Sequence, residues 1–224
     1  MTIILDAAQV ELAKTKLYSA VVCDVLDTLG YRNQGMKTFV RPLNDQHVVF
    51  GPARTGAYMK VGGHVEGENP YDIEMDLLDD LKEGEVVVFG VDGPTDNIVP
   101  WGELLTTGAR ARKAAGCVTD GLIRDARQIR DVGFPVFHGG IGPWDSKGRG
   151  KMVSKDVAIQ CGGVTVHQGD YVIADIDGVV VIPNKVVKEA IAMALAKVDS
   201  EDTVRAEILA GSTLRAVYDK HGVL

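Results

Sequence analysis

Hydrophobic and polar positions along the chain predict short helices and strands in an irregular alternation. The first thirty residues hold two helical stretches, 6–16 and 15–30, and Gly30 ends the second. The segment 66–81 is acidic, but its apolar residues recur at the spacing of one helix face. Between these segments, HVVFGPARTGAYM alternates around a Gly-Pro turn and indicates strand structure.

The middle of the chain predicts a repeated passage from strand to loop to helix. A buried strand at 85–93 enters a glycine-containing loop, and a helix at 101–116 leads to a strand at 116–119. The next segments are a DGLIRD loop, a short helix ended by Gly133, a strand at 134–137 and a glycine-rich loop at 138–151.

The last third predicts strands in VTVHQGDYVIADIDGVVVIP, followed by helix over 184–216, either one long helix or two broken at Gly211. Because strands and helices interleave irregularly, we expect an α/β fold with a mixed sheet and no regular ladder of parallel units. We expect a single domain over 1–224, in which 184–224 is a helical tail.

Composition narrows the functional classes. Of the 224 residues, 46% are hydrophobic and 25% charged, and the net charge of -7 disfavours nucleic-acid binding through a basic face. No stretch reaches the roughly 20 apolar residues of a membrane span, and no secretory leader pattern opens the chain. Three widely spaced cysteines, without a CxxC pair, predict buried thiols in a reducing compartment. The expectation is a cytoplasmic protein.

Candidate chemistry lies in the strand–helix–strand unit from residue 85 to 125. Glu103 begins the predicted helix, and Arg124 and Asp125 follow the second strand, after twenty intervening residues. Loops that follow strands of such a unit emerge at the edge of the sheet where ligands bind. We therefore predict that these three side chains converge.

The same edge offers a site for an anion. The first N–H groups of the predicted helix have no intrahelical partner and suit a carboxylate; they belong to Gly102, Glu103, Leu104 and Leu105. Arg124 would hold a second oxygen, and the carboxylates of Glu103 and Asp125 suit a hard divalent cation that keeps several waters. Cation, arginine and helix end together stabilise an enolate.

Plainer roles remain open for each residue. Asp125 would serve as the cap of the helix that follows it, Arg124 as a surface residue, and Glu103 as a first-turn acid that complements the helix dipole. Elsewhere, His64 and His138 are predicted to line a pocket or the surface, and Asp24 to bond at a helix end. Arg149 would either reach a distal substrate carboxylate or support the structure.

The chain resembles the RraA-like family, which includes the class II 4-hydroxy-4-methyl-2-oxoglutarate aldolases, through WGELLTTGARARKAAGCVTDGLIRDARQIRDVGFPVF. Weaker supporting stretches are CDVLDTLG, FGPARTGAY, DIDGVVVIP and EDTVRAEILAGSTLRAVYDKHGVL, so the resemblance covers nearly the whole chain. It implies a swivelling β/β/α-type domain with mixed sheets flanked by helices, assembled as a homotrimer or hexamer.

The resemblance also implies roles for residues. Asp125 would bind Mg²⁺ or Mn²⁺ directly, Glu103 would hold metal-bound water in place of the usual Asp, and Arg124 would bind substrate. An acid from a neighbouring subunit would approach the metal, with Glu201 as the candidate and Asp202 as the alternative.

The activity that the resemblance implies is cleavage of a 4-hydroxy-2-oxo acid to pyruvate, with oxaloacetate decarboxylation as a side reaction. Three alternatives stay open. They are an RraA-type regulator of ribonuclease activity, a family lyase acting on another hydroxy or sugar acid, and a metal-free aldolase that uses a lysine Schiff base. No lysine is singled out by the sequence, and Lys113 is predicted to be solvated.

Overall fold

The computed structural model describes residues 5–223 of the chain. Its α-helices are α1 Ala7–Lys16, α2 Ser19–Thr28, α3 Asp72–Asp79, α4 Glu103–Ala111, α5 Ala126–Val132, α6 Val187–Leu209 and α7 Leu214–His221. Its strands are β1 Arg41–Pro42, β2 Val49–Lys60, β3 Val86–Gly90, β4 Gly116–Thr119, β5 Leu122–Ile123, β6 Val136–His138, β7 Gly140–Ile141, β8 Gly150–Lys155, β9 Ile159–Cys161, β10 Val164–Val166, β11 Tyr171–Asp175 and β12 Gly178–Ile182. A short 3-10 helix, Asn184–Val186, precedes α6.

One eight-stranded mixed sheet organises the molecule. Its order is β1-β6-β4-β3-β2-β11-β12, and β8 also pairs with the long strand β2. The pairs β2–β3, β3–β4 and β4–β6 are parallel, whereas β11 and β8 pair with β2 in the antiparallel sense. The parallel centre brings the ends of β3 and β4 to one edge, and the loops that follow them carry the candidate site.

The two faces of the sheet pack against different layers, as strand alternation requires. Val87 and Phe89 of β3 belong to a core cluster with residues of α3, α4 and α5. Val86 and Val88 face the opposite layer, which includes the β9–β10 hairpin. A third cluster lies where α1, α2 and α6 cover β11 and β12. Because both faces are covered, β3 is buried along its whole length.

The predicted fold class, a mixed α/β sheet flanked by helices with a helical C-terminal part, is confirmed. The tail consists of two helices, α6 and α7, and the break falls at Gly211, whose φ is +103°. The predicted helix over 101–116 is wrong at its end. It stops at Ala111 because Lys113 adopts a left-handed φ of +58°, and the chain then turns into β4.

Smaller differences concern loops and cysteines. The predicted DGLIRD and glycine-rich loops contain the short strands β5 and β7, which pair with each other. Cys117 and Cys161 are buried free thiols, as predicted, and Cys23 is half-buried. Within residues 5–223 no helix combines the length and the apolar character that crossing a bilayer requires, although α6 has 23 residues.

Candidate active site

Trp101 fixes the start of α4. Its side chain is buried, stacks on Phe134 at 6.3 Å between ring centroids and meets Phe89 edge-on at 5.7 Å. Its Nε1 donates to Thr106 Oγ1 at 2.8 Å, and that hydroxyl donates to the Gly102 carbonyl at 3.0 Å. The helix end is therefore held in place from within the core.

The Arg124 segment lies directly beside this helix start. The Arg124 N–H donates to the Trp101 carbonyl at 3.0 Å, and Trp101 and Ile123 form a parallel bridge. A Cβ on Gly102 would lie 3.0 Å from Asp125 Oδ2 and 3.2 Å from Arg124 Cγ. Glycine at this position allows the two segments to approach each other.

Asp125 turns its side chain away from its own helix. It precedes α5 with a left-handed φ of +56°, and its carboxylate makes no capping bond to that helix. Instead, Oδ2 accepts a hydrogen bond at 3.2 Å from the N–H of Glu103, the first residue of α4. The alternative that Asp125 caps the following helix is therefore wrong. Aspartate tolerates the left-handed conformation better than most residues do.

Arg124 lies between two carboxylates. Its Nε is 3.6 Å from Asp125 Oδ2, and its Nη1 is 3.6 Å from Asp145 Oδ2. The side chain is 39% exposed, so the guanidinium is oriented by acids while part of it faces solvent. The plain surface role left open for Arg124 does not describe this geometry.

Glu103 is half-buried, and its Oε1 accepts a hydrogen bond from Thr107 Oγ1 at 2.8 Å. Leu104 is 79% exposed, while Leu105 packs partly against the core. Gly102, Glu103, Leu104, Leu105 and Asp125 form one side of a cavity and are called the α4 wall below.

The same cavity is lined by further polar residues that were not predicted from the sequence. Tyr71, Glu74 and Asp145 are called the α3 wall below. The Tyr71 hydroxyl lies 2.9 Å from both carboxylate oxygens of Asp145 and donates to them. Glu74 belongs to α3 and is 5% exposed.

The pKa values of the two acids of the α3 wall are shifted in opposite directions. Burial raises the pKa of Glu74 from the ordinary 4.5 to about 8; the Asp145 charge adds to this effect, and Arg124 opposes it. For Asp145, burial also favours the protonated form. Hydrogen bonds from the Lys147 N–H and Tyr71, together with the Arg124 charge, outweigh burial and lower its pKa. One acid thus keeps its proton at neutral pH, and the other stays ionised.

The cavity between the walls has a volume of about 430 Å³, enough for a small organic acid. It brings together all the predicted substrate-binding residues with Arg124 and Asp125. The missed residues carried weak signals: Tyr71 and Glu74 belong to the segment predicted only as an amphipathic helix, and Asp145 belongs to the glycine-rich loop 138–151.

Glu201 lies on α6 and is not among the residues that line this cavity within one chain. Its carboxylate accepts a hydrogen bond from the Tyr18 hydroxyl and lies 3.9 Å from Lys197 Nζ. Burial, the hydrogen bond to Glu201 and the charge of that carboxylate together raise the pKa of Tyr18 to about 12. Asp202 pairs with Arg205 on the exposed side of the helix. The cross-subunit role of Glu201 stays a prediction.

The residues whose roles the sequence left open are Arg149, His64, His138 and Asp24. Arg149 Nη1 donates to the Asp145 carbonyl at 3.0 Å and so holds the loop of the α3 wall. His64 lines a separate depression of about 490 Å³. His138 is buried on β6, where burial and the nearby Arg130 charge lower its pKa to about 4. Asp24 pairs with Lys197.

The donor set of the α4 wall fits a hard divalent cation. Asp125 offers a carboxylate that is 38% exposed, and Glu103 offers a second carboxylate on the same wall. Within the described part of the chain, no group of three or more His, Cys, Asp or Glu side chains is arranged to hold a metal. A cation bound here would therefore keep waters or take a further ligand from elsewhere.

A mixed sheet with a helix-end cavity that pairs arginine with acids suits a protein that binds small carboxylic acids. The model of the RraA-like family, described as aldolase/RraA, matches residues 19–181. The chain belongs to the RraA-like family.

Relatives come from both enzyme-named and regulator-named branches. A Halalkalibacterium halodurans protein provisionally named 4-hydroxy-4-methyl-2-oxoglutarate aldolase is 30% identical over 89% of each chain. Protein DlpA of Legionella pneumophila is 31% identical over 91% of this chain, which spans 32% of the length of DlpA. The structure of Streptomyces coelicolor RraAS2, described as an unusual member of the RNase ES inhibitor RraA family, matches with a TM-score of 0.79. That match has 28% identity and covers 92% of this chain and 99% of RraAS2.

Proposed function

We propose that the chain is a divalent-metal-dependent lyase that cleaves a 4-hydroxy-2-oxo acid, such as 4-hydroxy-4-methyl-2-oxoglutarate, to pyruvate. Oxaloacetate decarboxylation is the expected side activity, because it passes through the same enolate. The observation that carries the proposal is the convergence of Arg124 with Asp125 at the N-terminus of α4.

The α4 wall supplies what a 2-oxo acid requires. Apart from that of Glu103, which donates to Asp125, the N–H groups of the first turn of α4 and the Arg124 guanidinium are donors for carboxylate and keto oxygens. Asp125 would hold Mg²⁺ or Mn²⁺ directly, and Glu103 would hold it through water. The cation, when bound, acts as a Lewis acid that favours the enolate.

The chain's own groups then divide the remaining work. The C4 hydroxyl proton leaves to a base that the acids of the α4 wall position, and the C3–C4 bond breaks. The electron pair forms the enolate of pyruvate, and Arg124 stabilises its oxygen. Protonation at C3 gives pyruvate, and the carbonyl fragment leaves.

A neighbouring subunit would complete the site. We propose a homotrimer or hexamer in which Glu201 of one subunit approaches Asp125 of the next. A closed cyclic assembly repeats such a head-to-tail contact at every site. In the described part of one chain no three His, Cys, Asp or Glu side chains are grouped to hold a metal, which is compatible with this arrangement.

The Schiff-base alternative has little support. In the described part of the chain no lysine lines the cavity, and Lys113 Nζ pairs with Glu83 at 3.0 Å on the surface. Trapping with borohydride and pyruvate should give no adduct.

Cleavage of a different hydroxy or sugar acid would use the same wall, and the substrate is assigned by screening 4-hydroxy-2-oxo acids for pyruvate release.

The observation that supports the regulator alternative is the likeness to RraAS2, which extends over nearly the whole length of RraAS2. It predicts no metal-dependent turnover. The deciding experiment measures oxaloacetate decarboxylation by the purified chain with Mg²⁺ or Mn²⁺ and again after EDTA. Turnover that EDTA abolishes and added metal restores supports the lyase. If the protein shows no metal-dependent turnover of oxaloacetate and releases no pyruvate from the acids screened, the lyase is rejected in favour of the regulator.

A further inference from the structure

Glu74 is a buried carboxyl that faces the cavity without a bonding partner. It is 5% exposed and lines the cavity from the first turn of its helix. Within residues 5–223 no N–H, hydroxyl or cationic group bonds to its side chain, and an unpaired buried charge is costly. The group is therefore neutral in the resting protein, with a proton available inside the cavity.

Within the described residues, the cations around α3 pair with acids other than Glu74. Arg112 from α4 pairs with Asp79, and Lys155 from β8 and Arg54 from β2 pair with Asp80. Those cations serve acids on the outer faces of the helix. Lys155 also lies 3.7 Å from the exposed Asp76.

On the cavity side, Glu74 faces Asp145, Arg124 and Tyr71. The Asp145 charge opposes its ionisation, and the opposing effect of Arg124 is shared with two other carboxylates. Tyr71 is a poor acid here, because its hydroxyl already donates to Asp145 and its pKa is raised by burial and by that bond.

Resting on the proposed function, we propose that Glu74 is a further catalytic residue: the acid that delivers a proton to C3 of the pyruvate enolate. The enolate C2=C3 electron pair takes the proton from the Glu74 carboxyl, the C2 oxygen becomes the keto group, and a Glu74 carboxylate remains. The proton lost from the substrate C4 hydroxyl to the base of the α4 wall returns to Glu74 through solvent. In reverse, the carboxylate removes a methyl proton from pyruvate.

The test separates carbon–carbon cleavage from proton transfer at carbon. Exchange of pyruvate methyl protons in D₂O, followed by ¹H NMR with Mg²⁺ or Mn²⁺, requires an acid–base group at C3. Carbon dioxide release from oxaloacetate requires only enolate formation, since a released enolate protonates in water. Glu74→Gln should lose about 100-fold or more in exchange and only a few-fold in carbon dioxide release.

Two further variants make the comparison specific. Asp76→Asn removes an exposed acid of the same helix and should keep both reactions. Glu74→Asp keeps a carboxyl and should retain part of the exchange. If Glu74→Gln exchanges like wild type, or loses both reactions equally, the role of Glu74 is overturned. If wild-type protein shows neither reaction, it is the proposed lyase function itself that fails.

A measurement on metal-free protein is independent of turnover and of whether Glu74→Gln folds. The ¹³C shift of the Glu74 carboxyl in EDTA-treated wild-type protein should titrate well above the ordinary range of glutamate. Titration near pH 4.5 would show that the carboxyl is ionised at neutral pH, and the proposal would be dropped.

Discussion

The two walls of the cavity hold their acids in different ways. Asp125 of the α4 wall is 38% exposed and accepts a hydrogen bond from a helix N–H. Glu74 of the α3 wall is 5% exposed and has its pKa raised to about 8. Solvent access and hydrogen-bond donors, and not residue type, make these two carboxyl groups different.

The α4 wall should be the more sensitive one. Asp125→Ala should abolish metal-dependent turnover, because a hard cation loses its direct carboxylate. Loss of the bond to the start of α4 should cost only about 0.5–2 kcal/mol of unfolding free energy. Decarboxylation assays and thermal unfolding measure the two effects. Asp131→Ala, an exposed acid on α5, is the control. Near-normal activity and metal affinity in Asp125→Ala would remove this assignment.

A second test asks whether the α4 wall is completed by a neighbour. Glu201→Gln should lower turnover by about 100- to 10,000-fold, and mixing it with inactive Asp125→Ala should restore activity through intact composite sites. Mass spectrometry checks that subunits exchange. Tyr18→Phe removes the same hydrogen bond but leaves the Glu201 carboxylate, and it should stay active. Mixed oligomers that form and remain inactive would refute the shared site.

Arg124 pairs with Asp125 of the α4 wall and with Asp145 of the α3 wall, and it should tolerate little change. Arg124→Lys keeps the charge but replaces a planar fork by a point charge, and it should reduce turnover by about 100- to 1000-fold. Steady-state kinetics with oxaloacetate provide the measurement. Arg127→Lys on α5 is the matched control, because Arg127 is exposed and outside the cavity. Wild-type kinetics in Arg124→Lys would rule out its role at the oxyanion.

Asp145 links the α3 wall to Arg124, so its effect should be smaller and indirect. Asp145→Asn weakens the ion pair with Arg124 and the hydrogen bond from Tyr71; because the charged pair is about two-fifths exposed, the loss of about 1 kcal/mol corresponds to roughly 5-fold. The loss should appear mainly in KM, since an unrestrained Arg124 binds the substrate less well. Tyr71→Phe should show a smaller change in the same direction. An unchanged KM in Asp145→Asn would mean that Arg124 needs no such restraint.

The smallest expected effect concerns stability. Native Glu74 keeps a proton that the unfolded chain releases above about pH 4.5, so the free energy of unfolding falls as pH rises towards about 8. Its slope is at most about 1.4 kcal/mol per pH unit. Urea unfolding of Glu74→Gln across this range should show a flatter dependence than wild type, and Asp76→Asn should not. Parallel curves for wild type and Glu74→Gln would mean that burial does not hold the proton.

Local patterns predicted most of the fold and one wall of the site. The apolar runs of β3 and β4 are readable because both faces of these strands are covered. The distance from Glu103 to Arg124 matches one helix and one strand, so the convergence of the α4 wall followed from chain geometry. The end of α4 was missed, since the left-handed residue after the helix is Lys113 and not the glycine that usually marks such an end.

The sequence by itself therefore determined the mixed α/β class, the helical tail and the meeting of Glu103, Arg124 and Asp125, while the structure decided that the tail breaks at Gly211. Only the tertiary structure decided which way Asp125 points and that Glu74 and Asp145 face the same cavity. The physical reason is that the burial of a residue and the charges around it depend on segments that are far apart in the chain. α3 and the 138–151 loop come together only once the sheet has formed. Burial then raises the pKa of Glu74, and hydrogen bonds with the Arg124 charge lower the pKa of Asp145.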